Sequence, residues 1–128
     1  MSKELNIKYT EQNILTISDM HLPYHHPDSF AFLEAVRDLY ELDLVVSLGD
    51  LLDFHNISFH DSDPDLYSAG AELDKAREHI STLEDLFPEM YIVGSNHGDL
   101  PLRKFLSGGI PREFLKSYNE IYDVGEDW

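Results

Sequence analysis

The chain contains no cysteine. That excludes a disulfide framework and thiolate metal sites, and it suits a reducing compartment. Basic residues are scarce: nine Lys and Arg stand against 25 Asp and Glu, for a formal charge of −16. A balance this negative argues against a broad surface that tracks phosphates. The only basic concentration is Arg103, Lys104, Arg112 and Lys116. No apolar run approaches membrane-spanning length, and residues 1–30 lack the basic-then-apolar pattern of a secretion signal. No membrane partner is expected, and the cytoplasm is the default location. Repeats and low-complexity segments are also missing.

What is present is one domain's worth of chain: 128 residues, 42% of them apolar, enough for a core. The acidic excess reads either as a solvated surface or as clustered carboxylates that await divalent cations. The most informative stretch is Val45-Val46-Ser47-Leu48-Gly49-Asp50-Leu51-Leu52-Asp53-Phe54. A short apolar run ending in glycine reads as a strand buried on both faces, as in parallel sheets. Gly49 allows a sharp turn, which leaves Asp50 at the strand's carboxyl end, where open α/β sheets place ligands.

The remaining elements follow from periodicity. A short edge strand is expected at Leu5–Tyr9 and a second strand at Ile14–Ser18. Leu22–Pro27 reads as a loop, and Asp28 as an N-cap. The helix after it carries Phe32, Leu33, Val36, Leu39 and Tyr40 on one side. The strand Asp43–Leu48 precedes a polar loop, Phe54–Asp63. Asp63-Pro64 is expected to start the longest helix, with Leu66, Ala69, Leu73, Ala76, Ile80, Leu83 and Phe87 as its apolar face and Pro88 as its stop. A third strand covers Met90–Val93. A short helix holds Leu102, Phe105 and Leu106, Gly108-Gly109 breaks it, and a last helix is expected over Pro111–Tyr118.

Strands alternating with helices imply an α/β domain with a parallel sheet. All three strand ends then face one rim, where Asp19 and His21, Asp50 and Asp53, and Asn96 and His97 converge. Asp19-x-His21 places a carboxylate and an imidazole on one side of an extended segment. Mixed oxygen and nitrogen donors suit Mn, Fe, Zn or Ni better than Ca or Mg. Alone, each pair has a plain structural reading: Asp caps backbone N–H groups, Asn favours turns, and D-x-H arises by chance. Together, at three successive strand ends, they read as a metal rim.

In this order and on these elements, D-x-H, G-D-x-x-D and N-H resemble the calcineurin-like metallophosphoesterase superfamily, over about residues 14 to 100. The stretch Ser47–Leu73 and the Ser95-Asn96-His97-Gly98 form look like its phage and bacterial members. The resemblance implies a parallel or mixed sheet with flanking helices and a metal-dependent phosphoesterase acting on mono- or diesters. It implies two divalent ions, Mn²⁺ first, with Fe, Zn or Ni as alternatives. Asp19 and His21 would hold one ion, Asp50 would bridge both, and Asn96 would hold the second. His97 would protonate the leaving oxygen, with Asp53 orienting its imidazole.

Three departures qualify the resemblance. Ser95 stands where the family has Gly, and Gly98 where it has an acid. Phe54 replaces the arginine that serves phosphoprotein phosphatases as a phosphate clamp. The family also supplies later histidines, one isolated and one G-H-x-H, whereas no His follows His97. The resemblance therefore implies the N-terminal part of a longer protein, with residues 1–128 as one incomplete domain. His25, His26, His55 and His60 in rim loops are the substitutes available. Two other function classes remain: a non-catalytic metal-binding remnant, and a receiver-like phosphoacceptor module with Asp50 as acceptor. The second lacks the acid pair and late-strand Lys such a pocket needs. Partners expected are a phosphate ester, a nucleotide or nucleic acid among the candidates, and a second copy of the chain, because exposed apolar surface favours self-association.

Overall fold

The structure is a computed structural model and describes residues 13–128. The strand expected at Leu5–Tyr9 lies outside these residues. Among them, three strands form one parallel sheet in the order β1-β2-β3: β1 (Ile14–Ile17), β2 (Leu44–Ser47) and β3 (Tyr91–Ile92). Ile14 pairs with Leu44 and Ile17 with Ser47. Val46 pairs with Tyr91 and Ser47 with Ile92. The helices are α1 (Ser29–Leu39), α2 (Ala69–Leu86), α3 (Leu100–Ser107) and α4 (Tyr118–Tyr122). Short 3₁₀ turns lie at His55–Ile57 and Arg112–Phe114.

The alternation of strand and helix is as expected, and so is the α/β class. Several boundaries differ. The longest helix starts at Ala69, where the Ser68 hydroxyl accepts the Ala71 N–H. Asp63 instead accepts from the Asp65 N–H at 2.9 Å, closing a local turn. Asp28 does occupy the N-cap position of α1, but its side chain caps nothing. In place of one helix over Pro111–Tyr118, the chain makes a 3₁₀ turn and then α4, which opens on a capping box of Ser117 and Glu120.

The core gathers Ile17, Leu22, Val45, Leu52, Leu33 and Met90 with Ala76, Ile80, Leu83 and Phe87 from the α2 stripe. The α2 periodicity marks its buried face from Leu73 onward; Leu66, which precedes the helix, and Ala69, its first residue, are exposed. On α1 only Leu33 is buried; Phe32, Leu39 and Tyr40 are 66%, 75% and 54% exposed. Strand β2 alternates, with Val45 and Ser47 buried and Leu44 and Val46 half-buried, so it is not sealed on both faces. Past Asp123 the chain returns to the sheet: the Met90 N–H donates to the Asp127 carbonyl, and the Trp128 indole N–H to the Phe87 carbonyl. The Arg77 Nε–H donates to the Ile121 carbonyl at 2.8 Å, joining α4 to α2.

Candidate metal centre

The chain does not diverge where β1 and β2 end. Backbone bonds continue past the sheet, from the His21 N–H to the Asp50 carbonyl (3.0 Å) and from the Leu22 N–H to the Leu51 carbonyl (2.8 Å). The Asp53 N–H returns to the Leu22 carbonyl at 3.0 Å. This ladder holds the Asp19–His21 segment alongside Asp50–Asp53. The backbone at Asp19, His21 and Asp50 is left-handed, with φ of 53°, 49° and 52°. For residues with a Cβ this conformation is unfavourable by roughly 1–2 kcal/mol each, and such strain clusters where side chains must be aimed at a site.

The third motif reaches the rim through Ser95. Its Oγ accepts the Asp50 N–H at 2.8 Å and the Gly98 N–H at 3.1 Å. Gly49, at φ +108°, makes room for it: a Cβ there would lie 2.3 Å from the Ser95 Cβ. The His97 N–H donates to Asp50 Oδ1 at 3.2 Å. The three strand ends are thus bonded to one another through Asp50.

His21 Nδ1 lies 2.7 Å from Asp53 Oδ1. A carboxylate only accepts, so Nδ1 carries a proton, and in the neutral ring Nε2 presents a bare lone pair. That lone pair lies 3.8 Å from Asp19 Oδ1 and 4.0 Å from Asp50 Oδ2. Asp19, His21 and Asp50 form one group able to hold a cation; His21, Asp53 and His97 form another. The first fits better. In the second, the 2.7 Å contact is a hydrogen bond between two would-be ligands, and a proton occupies the place of the ion. A carboxylate holding the far nitrogen of a ligating histidine is the usual support for such a ligand. Burial pushes Asp50 up, but the Ser95 hydroxyl, the His97 N–H and the neighbouring His97 and His21 outweigh it and hold its carboxyl below the ordinary value.

The other expected residues sit as follows. Asp53 is at the rim, but its carboxylate holds His21 and not His97, whose Nδ1 is 3.9 Å away. His97 Nδ1 instead meets the Asp53 backbone carbonyl at 2.7 Å. The neighbour of the His97 imidazole is thus the Asp53 main chain, not the Asp53 carboxylate. The rings of His21 and His97 meet edge to face at 4.7 Å. The Asn96 Oδ1, expected as a ligand, instead accepts from Arg103 Nη1 at 2.9 Å.

The loop histidines find other partners. His55 Nε2 accepts the Asp63 N–H at 2.9 Å, so its lone pair is engaged. His25 packs against Phe30 and His79, while His26 and His60 are exposed. None of the four joins a metal-competent group among the described residues.

Two residues went unrecognised in the sequence. Ser95 read only as a departure from the Gly of the family pattern. Glu72, 4% exposed, accepts the N–H groups of His55 and Asn56 and so fixes the turn that leaves Asp53. Burial pushes its carboxyl up. Its signal was positional: Glu72 lies three residues after Ala69 and four before Ala76, on the buried stripe.

A cleft of about 410 Å³ runs from Gly49 and Asp50 along β3 to Tyr118, Tyr122 and Trp128. Tyr118 on its wall donates to Asp99 Oδ1 at 3.0 Å; burial and that carboxylate push its phenol up to about 12. Comparison with protein-family models, curated proteins and solved structures gives no match to this chain. Among the described residues no helix is long and apolar enough to cross a membrane.

Proposed function

We propose that this chain is a metal-dependent phosphoesterase of the calcineurin-like kind, binding its cation with Asp19, His21 and Asp50. One observation carries the reading: Asp53 fixes His21 so that its bare Nε2 faces two carboxylates. Manganese, iron, zinc or nickel suits these donors. Bound there, such an ion supplies Lewis-acid polarisation of a phosphoryl oxygen and acidifies water.

The residues of the chain do the rest. Asp50 accepts the His97 N–H, which ties the imidazole's backbone to the metal group. With His97 Nδ1–H on the Asp53 carbonyl, Nε2 is the nitrogen left to exchange a proton. In its protonated form it gives that proton to the departing oxygen of the ester. The cleft beside Asp50 has room for the organic group.

The test is hydrolysis of p-nitrophenyl phosphate, its bis ester and an alkyl phosphate with Mn²⁺, beside Asp50→Asn and His97→Ala. Asp50→Asn should abolish turnover of all three. Nitrophenolate leaves with little protonation, so His97→Ala should lose about 10²–10⁴-fold with the alkyl ester and far less with the nitrophenyl esters. Equal losses would remove His97 from the acid role, and no turnover in the parent chain would remove the reading. Binding without turnover is the second reading, favoured by the Asn96 oxygen being engaged by Arg103. One bound ion per chain with no hydrolysis would establish it.

A further inference from the structure

The cations of this acidic chain are not used evenly. Arg37, Lys75 and Arg77 each sit within ion-pair distance of a carboxylate. Among the described residues Arg103, Lys104, Arg112 and Lys116 pair with none, although acids outnumber bases 25 to 9 in the chain. Of these, Arg103 and Lys104 are held in place by neutral groups. The Arg103 guanidinium stands 5.0 Å from the centre of the Phe59 ring, and Lys104 Nζ stands 4.1 Å from it. Arg103 Nη1 donates to Asn96 Oδ1, on the residue preceding His97. A guanidinium has five N–H donors, and this bond uses one. The ring limits the movement of both cations without neutralising them. A loop and a helix are joined here: Phe59 follows the second rim motif, and Arg103 lies on α3 after the third.

We infer that Arg103, assisted by Lys104, is the phosphate-anchoring site of this chain, a specificity-determining pair that favours doubly charged phosphate monoesters over singly charged diesters. The inference rests on the phosphoesterase reading for its substrate, but not for its ligand, which is the phosphate anion itself. The position that holds a phosphate-clamping arginine after the second motif of phosphoprotein phosphatases is Phe54 here, and Phe54 is buried. Arg103 instead bonds Asn96, the residue that precedes His97. Charge-assisted, bidentate contact with phosphate is what a guanidinium with free N–H groups provides. Local positive charge is also needed at a rim that carries Asp19, Asp50 and Asp53, because their field repels an anionic substrate.

The experiment is calorimetric titration of the full chain with inorganic phosphate, in EDTA and again in Mn²⁺. It compares the parent chain with Arg103→Ala, Lys104→Ala and, as a control for lost surface charge, Arg112→Ala. In whichever state binds phosphate, Arg103→Ala should weaken binding by at least about tenfold, Lys104→Ala should weaken it less, and Arg112→Ala should leave it unchanged. Circular dichroism should show α3 intact in each variant. Steady-state kinetics provide a second readout: Arg103→Ala should raise KM for p-nitrophenyl phosphate more than for its bis ester, with kcat nearly constant. A parent chain that binds no phosphate, or an Arg103→Ala variant that binds it equally well, overturns the inference. Metal-dependent hydrolysis with Arg103→Ala indistinguishable from the parent would remove this site and keep the phosphoesterase reading. Arg103-dependent phosphate binding without hydrolysis would do the reverse.

Discussion

At the scale of single residues, Ser95 is where two of the three rim motifs meet. Its hydroxyl is the acceptor for two backbone N–H groups, those of Asp50 and Gly98. Ser95→Ala leaves both donors without that acceptor, and denaturant unfolding should show a loss of about 1–3 kcal/mol. The same change loosens the backbone that carries Asp50, so Mn²⁺ affinity should fall about tenfold. Gly49→Ala should be harsher. The new Cβ meets the Ser95 Cβ at 2.3 Å and the backbone is left-handed, at φ +108°. Overpacking and backbone strain together amount to roughly 2–5 kcal/mol. If Gly49→Ala unfolds at the parent's midpoint, the tight approach of the second and third motifs is wrong. Asp53→Asn is the subtler test. It retains the shape of the side chain but withdraws the charge from His21 Nδ1, so metal affinity should fall about 10–100-fold while stability changes little.

At the scale of elements, the apolar stripe of α2 was legible because the helix runs 18 residues with a steady period and buries Ala76, Ile80 and Leu83. The rim motifs were legible because each follows an apolar run that ends abruptly. Two kinds of information were not. Periodicity tells which residues share a helix face, but not whether another element covers it: Phe32 and Leu39 share a side of α1 that lies in solvent. Position at a strand end tells which groups meet, but not which oxygen meets which nitrogen. Asp53 therefore read as the partner of His97, when its carboxylate bonds His21 and its carbonyl bonds His97. Helix starts were ambiguous because Asp63-Pro64 and Ser68 both offer capping chemistry, and Asp63 spends its carboxylate on a tight turn.

The seam between the loop before α1 and α2 makes its own prediction. His25 and His79 stand 4.3 Å apart, ring to ring, with Phe30 against both. Burial lowers both from the ordinary value of 6.5, and their proximity adds to the shift of His25. Below 6.5 and above the folded values, the unfolded chain binds more protons than the folded one. Stability should therefore rise with pH through that window and be lost as pH falls from 6.5. Glu72 acts in the opposite sense: its folded value lies above 4.5, so its contribution declines as pH rises past that point. Urea midpoints at pH 7.5, 6.5 and 5.5 for the parent and His79→Gln separate the two. The variant should have the flatter acid limb, and identical limbs would exclude the histidine seam as their source.

At the scale of the whole molecule, a formal charge of −16 repels itself, and any cation relieves that repulsion by screening. A rise in melting temperature with Mn²⁺ is therefore not in itself evidence for a site. The discriminating quantity is the part of the rise that survives at fixed ionic strength. A single site that binds only the folded chain, at a hundredfold excess over Kd, contributes about 2.7 kcal/mol. For a domain of this size that corresponds to a shift on the order of 10 °C. Parent protein should gain that much in micromolar-to-millimolar Mn²⁺ with NaCl held constant, and EDTA should reverse it. Asp50→Asn should retain the response to NaCl and lose the response specific to Mn²⁺, because Asp50 lies at the junction of all three strand ends. Should Ca²⁺ and Mg²⁺ raise the melting temperature as far as Mn²⁺, the bare nitrogen of His21 contributes nothing to selectivity, since those two cations take oxygen ligands. The rim would then be a patch of carboxylates, and the metal-dependent chemistry proposed for it would lose its foundation.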